Sequence, residues 1–253
     1  MRQEIINTIK KELKEYPFIN AVWLEGADAH NRVDEYSDID LWIDADDEKI
    51  DQAFDALVNC LNQFGELDLK IKQNHNDDVI SQRYYHLKNT SPFLLIDVCI
   101  QKHSREMKFK VEHTDEKPLI LFDKNNVIKF EQIIQSEFDI TLKNRVKEIE
   151  ELFLVHLPKV EKHIKRNHFL SGGEPYRHSV LEPIIELLRI NSDPTKKDFG
   201  FKHIESDLPN EEITRLEKLS QYTSVDDISA LLPMAEKFFY EALRKVKDKL
   251  EIE

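Results

Sequence analysis

Cysteine is scarce: Cys60 and Cys99 are the only two, and neither belongs to a CxxC or Cys/His cluster. That argues against a zinc site and fits a reducing, cytoplasmic setting. Long apolar runs are missing too, since none approaches the roughly 20 residues that a membrane span needs. The N-terminal MRQEIINTIKKELKEY alternates charge with isoleucine and lacks the apolar block of a signal peptide. Glycine (5) and proline (9) are sparse beside 40% hydrophobic residues, which excludes a disordered chain and allows a packed core. Positive charge is in deficit: 36 Lys and Arg face 49 Asp and Glu, a net charge of −13. This sign works against a nucleic-acid backbone and suits a cationic small molecule or a metal-bound ligand. Plain solubility explains it equally well.

The 253 residues suffice for one large domain or two modest ones. Ile5, Ile6, Ile9 and Leu13 recur at helical spacing, which predicts an amphipathic helix over residues 2–15. INAVWLEG reads as a short strand ending at Gly26, and SDIDLWID alternates like a half-buried strand. A helix over 47–63 presents Ile50, Phe54, Leu57, Val58 and Leu61 on one face and stops at Gly65. ELDLKIK and QRYYHLK follow as strands, and FLLIDVCI (93–100) has the apolar character of a central one. From about residue 127 the pattern changes to long charged helices. Within 139–168 Pro158 predicts a kink or break, and SGGEP at 171–175 reads as a turn. A helix through Leu181, Ile184, Ile185 and Leu188, a loop over 192–209, a short helix near 210–220 and a last helix capped by Ser224 complete the chain. The layout is an α/β half, residues 1–130, followed by an all-helical half, residues 131–253.

Chemistry concentrates between Gly26 and Leu41. On a strand, Asp38 and Asp40 project their carboxylates from one face, where they repel unless a proton or cation lies between them. Hard oxygen ligands of this kind suit Mg²⁺. Asp97 interrupts the apolar LLI and VCI, and a charge buried there needs a partner. A metal shared with Asp38 and Asp40 is one such partner, a salt bridge or a solvent-facing strand end the other. Trp23 and Trp42 read as core residues beside the motif. His156, His163 and His168 lack the i, i+4 spacing of a helical metal site.

An apolar strand ending at Gly26, a polar loop, Ser37-Asp-Ile-Asp-Leu41 and a third aspartate, Asp97, occur here in order. In these features the chain resembles the nucleotidyltransferase superfamily that includes the aminoglycoside and lincosamide nucleotidyltransferases. The resemblance spans roughly residues 20–100 and implies an α+β fold: a nucleotidyltransferase-type mixed sheet with flanking helices, then a helical bundle. It implies that Asp38, Asp40 and Asp97 bind Mg²⁺, that the third carboxylate helps activate the attacking hydroxyl, and that ATP supplies AMP to a small-molecule acceptor. The loop around Gly26, Ala27 and Arg32 would receive the phosphates, and Ser37 would bond locally before the strand. Two departures stand out: Ala27 replaces the usual serine, and Ala29-His30-Asn31 replaces Ala-Arg-Gly, with His30 and Arg32 as substitute phosphate contacts. Asn31 suits the positive φ such a turn requires. KDFGFKHIESDLPNEEITRLEKL is similar to the C-terminal pattern of the antibiotic-modifying members, a domain expected to line an acceptor pocket. Among Glu174, Glu182 and Glu186, Glu182 is the candidate general base.

The expected activity is therefore Mg²⁺-dependent transfer of AMP from ATP to a hydroxyl of a small molecule such as an aminoglycoside, a mark of antibiotic resistance. No nucleic acid or membrane partner is expected, and a monomer or a homodimer remains open. Two alternatives stay beside it: an antitoxin-type enzyme that modifies a protein, and a degenerate member that binds nucleotide without turnover.

Overall fold

A computed structural model describes residues 1–73, 78–106, 108–113 and 116–252. The chain forms two compact units, Met1–Ile133 and Ile134–Glu253. The fold is α+β, with a six-stranded mixed sheet in the first unit and helices throughout the second.

In the first unit, β1 (Ile19–Leu24), β2 (Ile39–Ala45), β3 (Leu67–Gln73), β4 (Ile80–Leu87), β5 (Ile96–Lys102) and β7 (Leu119–Asp123) order as β3-β4-β5-β2-β1-β7. β6 (Lys108–Lys110) and β8 (Lys129–Glu131) make a separate parallel pair. Only β2 and β5 run parallel within the large sheet. The apolar run predicted as a central strand is β5, third in the sheet.

Strand alternation divides the two faces. Ile39, Leu41 and Ile43 of β2 and Ile96, Val98 and Ile100 of β5 are buried on one side, in a single cluster with α1 (Arg2–Leu13) and α3 (Ile50–Leu61). Ile5, Ile9 and Leu13 from α1 and Phe54, Leu57 and Leu61 from α3 reach that cluster at 0% exposure, as their spacing required. Asp40, Trp42, Asp97 and Cys99 occupy the other face and are only half-buried. β1 is buried along its whole length, because Trp23 and Ala21 pack on that second face against Phe109 and Ile128.

The second unit holds α4 (Gln135–Lys165), α5 (Phe169–Tyr176), α6 (Glu182–Ser192), α7 (Ile204–Asp207), α8 (Asn210–Leu219) and α9 (Val225–Leu250) around one core. Three expectations change here. Pro158 does not end α4, which runs through it. The missing hydrogen bond belongs to the carbonyl of Leu154, on a turn where Leu154 and Val155 are exposed and water can take the bond. SGGEP is helical, inside α5. Gly172 serves close packing, since a Cβ there would stand 3.2 Å from His163 Cβ, whereas one at Gly173 would meet the Tyr222 ring at an ordinary 3.5 Å. A π-helical turn, Arg177–Leu181, then leads into α6. Finally, the expected loop at 192–209 contains a 3-10 helix, Pro194–Phe199, and α7. Ser224 caps α9 as predicted, accepting the Asp227 N–H at 3.1 Å.

Arg189 organises that segment. It is 1% exposed, and its Nε donates to the Gly200 carbonyl at 2.9 Å. Its guanidinium also reaches the Lys202 carbonyl and the Asp207 carboxylate, the latter at 2.9 Å, while Lys196 takes the other Asp207 oxygen at 2.8 Å. Removing one member of a buried pair leaves polar groups without donors, at a cost of about 3–5 kcal/mol. Arg189→Ala should lower unfolding stability by that order in a denaturant titration. Arg189→Lys should recover little of it, because an ammonium cannot reproduce the fork.

Candidate active site

The sheet register arranges the open face into rows. Trp23 pairs with Trp42, Trp42 with Cys99, and Cys99 with Gln82. One step nearer the start of β2, Asp40 pairs with Asp97, and Asp97 with Tyr84. Glu25 extends this second row on the other side. Its backbone is extended, and its N–H donates to the Asp40 carbonyl at 3.0 Å. The row across four strands therefore reads Glu25, Asp40, Asp97, Tyr84.

The row of aromatic and amide side chains holds the carboxylates in place. The indole N–H of Trp23 donates to Glu25 Oε1 at 2.9 Å, and the Gln82 amide donates to Asp97 Oδ1 at 2.6 Å. Both are neutral donors, which orient a carboxylate and leave its charge intact. The accumulated charge registers on Cys99, which burial, then Asp97, Glu25 and Asp40, push up to about 12. Burial and the Asp97 charge likewise raise Tyr84, so its phenol stays protonated beside Asp97.

Gly26 follows the row directly and has φ +60°. A Cβ built there would stand 2.0 Å from Asp40 Oδ2. The Asp40 carboxylate thus occupies space that any other residue at position 26 would fill. Beyond Gly26 the chain forms α2 (Gly26–Ala29), and the Ala27 carbonyl accepts the Arg32 N–H at 3.0 Å. His30 Nδ1 bonds the Gly26 carbonyl at 2.7 Å, and Asn31 takes φ +52°, as the turn requires. Arg2 of α1 ties this loop down: it donates to Asp28 Oδ1 at 2.7 Å and reaches Asp28 Oδ2 and the Asp38 carbonyl.

The predicted residues are distributed unequally. Asp40 and Asp97 are brought together. Asp38 lies one residue before β2, and the strand register adds a pairing that sequence spacing did not supply, Asp40 with Asp97. Ser37 bonds locally, its hydroxyl donating to Asp34 Oδ1 at 2.7 Å. Ala27 is half-buried and Arg32 exposed. In the second unit, Glu182 opens α6 and pairs with His178 Nδ1 at 2.8 Å, whereas Glu186 is held by both ends of the Arg145 fork at 2.6 and 2.7 Å. Glu25 and Gln82 were not singled out from sequence. Extending the β1 alternation two residues past Trp23 would have found Glu25. Gln82 needs the β4–β5 register, which no local pattern supplies. Among the described residues no three His, Cys, Asp or Glu side chains gather into a group that could hold a metal ion. Mg²⁺ usually takes only one or two carboxylates and fills its remaining positions with phosphate oxygens and water. Asp40 and Asp97, on adjacent strands about 4.8 Å apart, fit that requirement.

A family model described as streptomycin adenylyltransferase matches residues 1–253. Among curated proteins, none matches the chain. Solved structures similar to it include an aminoglycoside 6-adenyltransferase from Bacillus subtilis, at 13% identity and TM-score 0.43, covering 100% of this chain and 92% of that one. A nucleotidyltransferase-like protein from Exiguobacterium sibiricum is 12% identical, with TM-score 0.38 and coverage of 98% and 78%. A spectinomycin adenyltransferase from Enterococcus faecialis, solved with ATP and spectinomycin, is 12% identical, with TM-score 0.32 and coverage of 97% and 99%. No described helix is long and apolar enough to cross a membrane.

The contact between position 26 and Asp40 can be isolated by mutation. Gly26→Ala should destabilise the first unit by roughly 1–2 kcal/mol from its left-handed backbone alone, plus a further loss from displacing Asp40. Adding Asp40→Ala should restore the second part and not the first. Thermal denaturation of the single and double variants checks this, and strictly additive losses would show that the two residues do not collide.

Proposed function

The chain belongs to the streptomycin adenylyltransferase family, and from that premise we propose that it transfers AMP from ATP to a hydroxyl of a cationic small molecule. Membership makes it a nucleotidyltransferase of the antibiotic-adenylylating type. The observation that carries the finer reading is the pairing of Asp40 with Asp97 on parallel strands, next to a glycine that leaves the Asp40 carboxylate room.

In this reading Asp40 and Asp97 would be the carboxylates that hold Mg²⁺, with Asp38 in the adjoining loop, and the ion would neutralise the triphosphate and stabilise charge on the transferring phosphorus centre. The chain's own residues supply the rest. Gln82 fixes the rotamer of Asp97, and Trp23 fixes that of Glu25. Gly26, Ala27 and Arg32 form the phosphate-receiving loop, with backbone N–H groups in place of the serine hydroxyl that Ala27 lacks. Ser37 closes the turn that leads into β2, and Arg2 holds the loop against α1. Glu182 is the proposed general base: a carboxylate that takes the acceptor hydroxyl's proton lets that oxygen attack the α-phosphorus as pyrophosphate departs. His178 orients it, in the way a base is held by a third group.

Calorimetric titration of ATP into wild-type protein should show binding only with Mg²⁺. Asp40→Asn and Asp97→Asn should each abolish that dependence, and pyrophosphate release with streptomycin should fall by about 10²–10³-fold, the scale on which a charge-stabilising group matters. Glu182→Gln should leave ATP binding intact while lowering turnover by about 10²–10⁴-fold. Metal-dependent ATP binding that survives both aspartate substitutions would remove this pair from nucleotide handling.

A further inference from the structure

Two aromatic rings stand exposed at the same end of the sheet as the carboxylate row. Tyr36 is 61% exposed and Phe93 50% exposed, yet their rings meet edge to face with centroids 5.2 Å apart. Neither ring belongs to a core of the first unit. They come from different loops, one leading into β2 before Asp38 and the other into β5 before Asp97. The Ile39 N–H, bonded to the Leu95 carbonyl at 2.8 Å, joins those loops.

Each ring is mounted on a fixed turn. The Asp34 carboxylate accepts the Tyr36 N–H at 3.0 Å and the Ser37 hydroxyl at 2.7 Å. The Ser91 hydroxyl accepts the Phe93 N–H at 3.3 Å, and the Ser91 carbonyl accepts the Leu94 N–H at 2.9 Å. A buried aromatic ring removes about 150–250 Å² from water, so two exposed rings forgo a large favourable term. Their surroundings are acidic: Asp34, Glu35 and Asp38 share the Tyr36 loop. Hydrogen bonds from the Ser37 hydroxyl and the Tyr36 N–H keep the Asp34 carboxyl below the usual carboxylate range, hence ionised.

Aromatic faces and carboxylates attract the same kind of group. A cation is drawn to the negative face of a ring and to the acid beside it, and a planar guanidinium can also stack. A triphosphate is repelled by those acids. We propose that Tyr36 and Phe93 form the platform that receives an ammonium or guanidinium group of the acceptor, with Asp34 and Glu35 as its charged border. This rests on the reading of the chain as an adenylyltransferase acting on a cationic small molecule, and it assigns acceptor selection to the first unit.

The test is calorimetric binding of streptomycin, spectinomycin and kanamycin to wild type, Tyr36→Ala, Phe93→Ala and Tyr36→Phe, with Mg²⁺-ATP titrated separately. Each alanine variant should bind the preferred aminoglycoside about ten-fold more weakly, the scale of a cation–π contact. It should raise KM for that acceptor while keeping kcat. Tyr36→Phe should behave like wild type, because the face of the ring is retained. ATP affinity should stay within two-fold in all three variants, which also verifies folding. If the alanine variants bind and turn over the acceptor as wild type does, the platform is wrong while the enzymatic reading stands. Loss of ATP affinity in place of acceptor affinity would make the pair a nucleobase contact and overturn the proposal. Should wild type bind none of the three probes and release no pyrophosphate, both readings fall.

Discussion

A single parallel pairing inside an otherwise antiparallel sheet determines where the chemistry lies. β2 and β5 run the same way, so both begin at one end of the sheet and their second residues, Asp40 and Asp97, fall in register. An antiparallel arrangement would set the start of one strand against the end of the other and separate these carboxylates by the length of the strand. The pairing needs a crossover, which the chain makes through α3, β3 and β4. α1 and α3 cover one face of the sheet, leaving the acidic residues on the other. Gly26 completes the constraint, since only the absence of a Cβ lets the Asp40 carboxylate take its place.

This arrangement opposes stability. Like charges directly across a ladder are unfavourable, by roughly 0.2–1 kcal/mol for a pair, yet Asp40 has Glu25 on one side and Asp97 on the other. The sheet tolerates the row because its other face is a continuous apolar core and because Trp23 and Gln82 meet the carboxylates with neutral donors. Evolution does not place acids side by side for folding's sake.

Much of this was legible in the sequence because strand alternation is a strong local signal. Ile39, Leu41 and Ile43 alternate with Asp40 and Trp42, and that alone fixed which side chains would leave the core. The charge inside LLIDVCI marked Asp97 as a side chain in need of a partner, and the Gln82 amide donates to it. What stayed hidden depended on distant partners. SGGEP carries the composition of a turn, yet His163 leaves little room for a side chain at Gly172 and the segment coils into α5. The 192–209 segment lacks apolar periodicity because a buried guanidinium, not a hydrophobic stripe, holds it together. Asp38 and Asp40 share a parity, but the strand starts only at Ile39. Parity along a chain cannot say where a strand begins. Nor can it say which strands are neighbours, and Gln82 reaches Asp97 only because β4 lies beside β5.

Cys99 sits in this acidic surrounding, and its thiol is held at about 12. The thiolate is the form that peroxides and electrophiles attack, so a raised pKa keeps this sulfur in its less reactive protonated form. Burial first, and then the charges of Asp97, Glu25 and Asp40, hold the sulfur in that form.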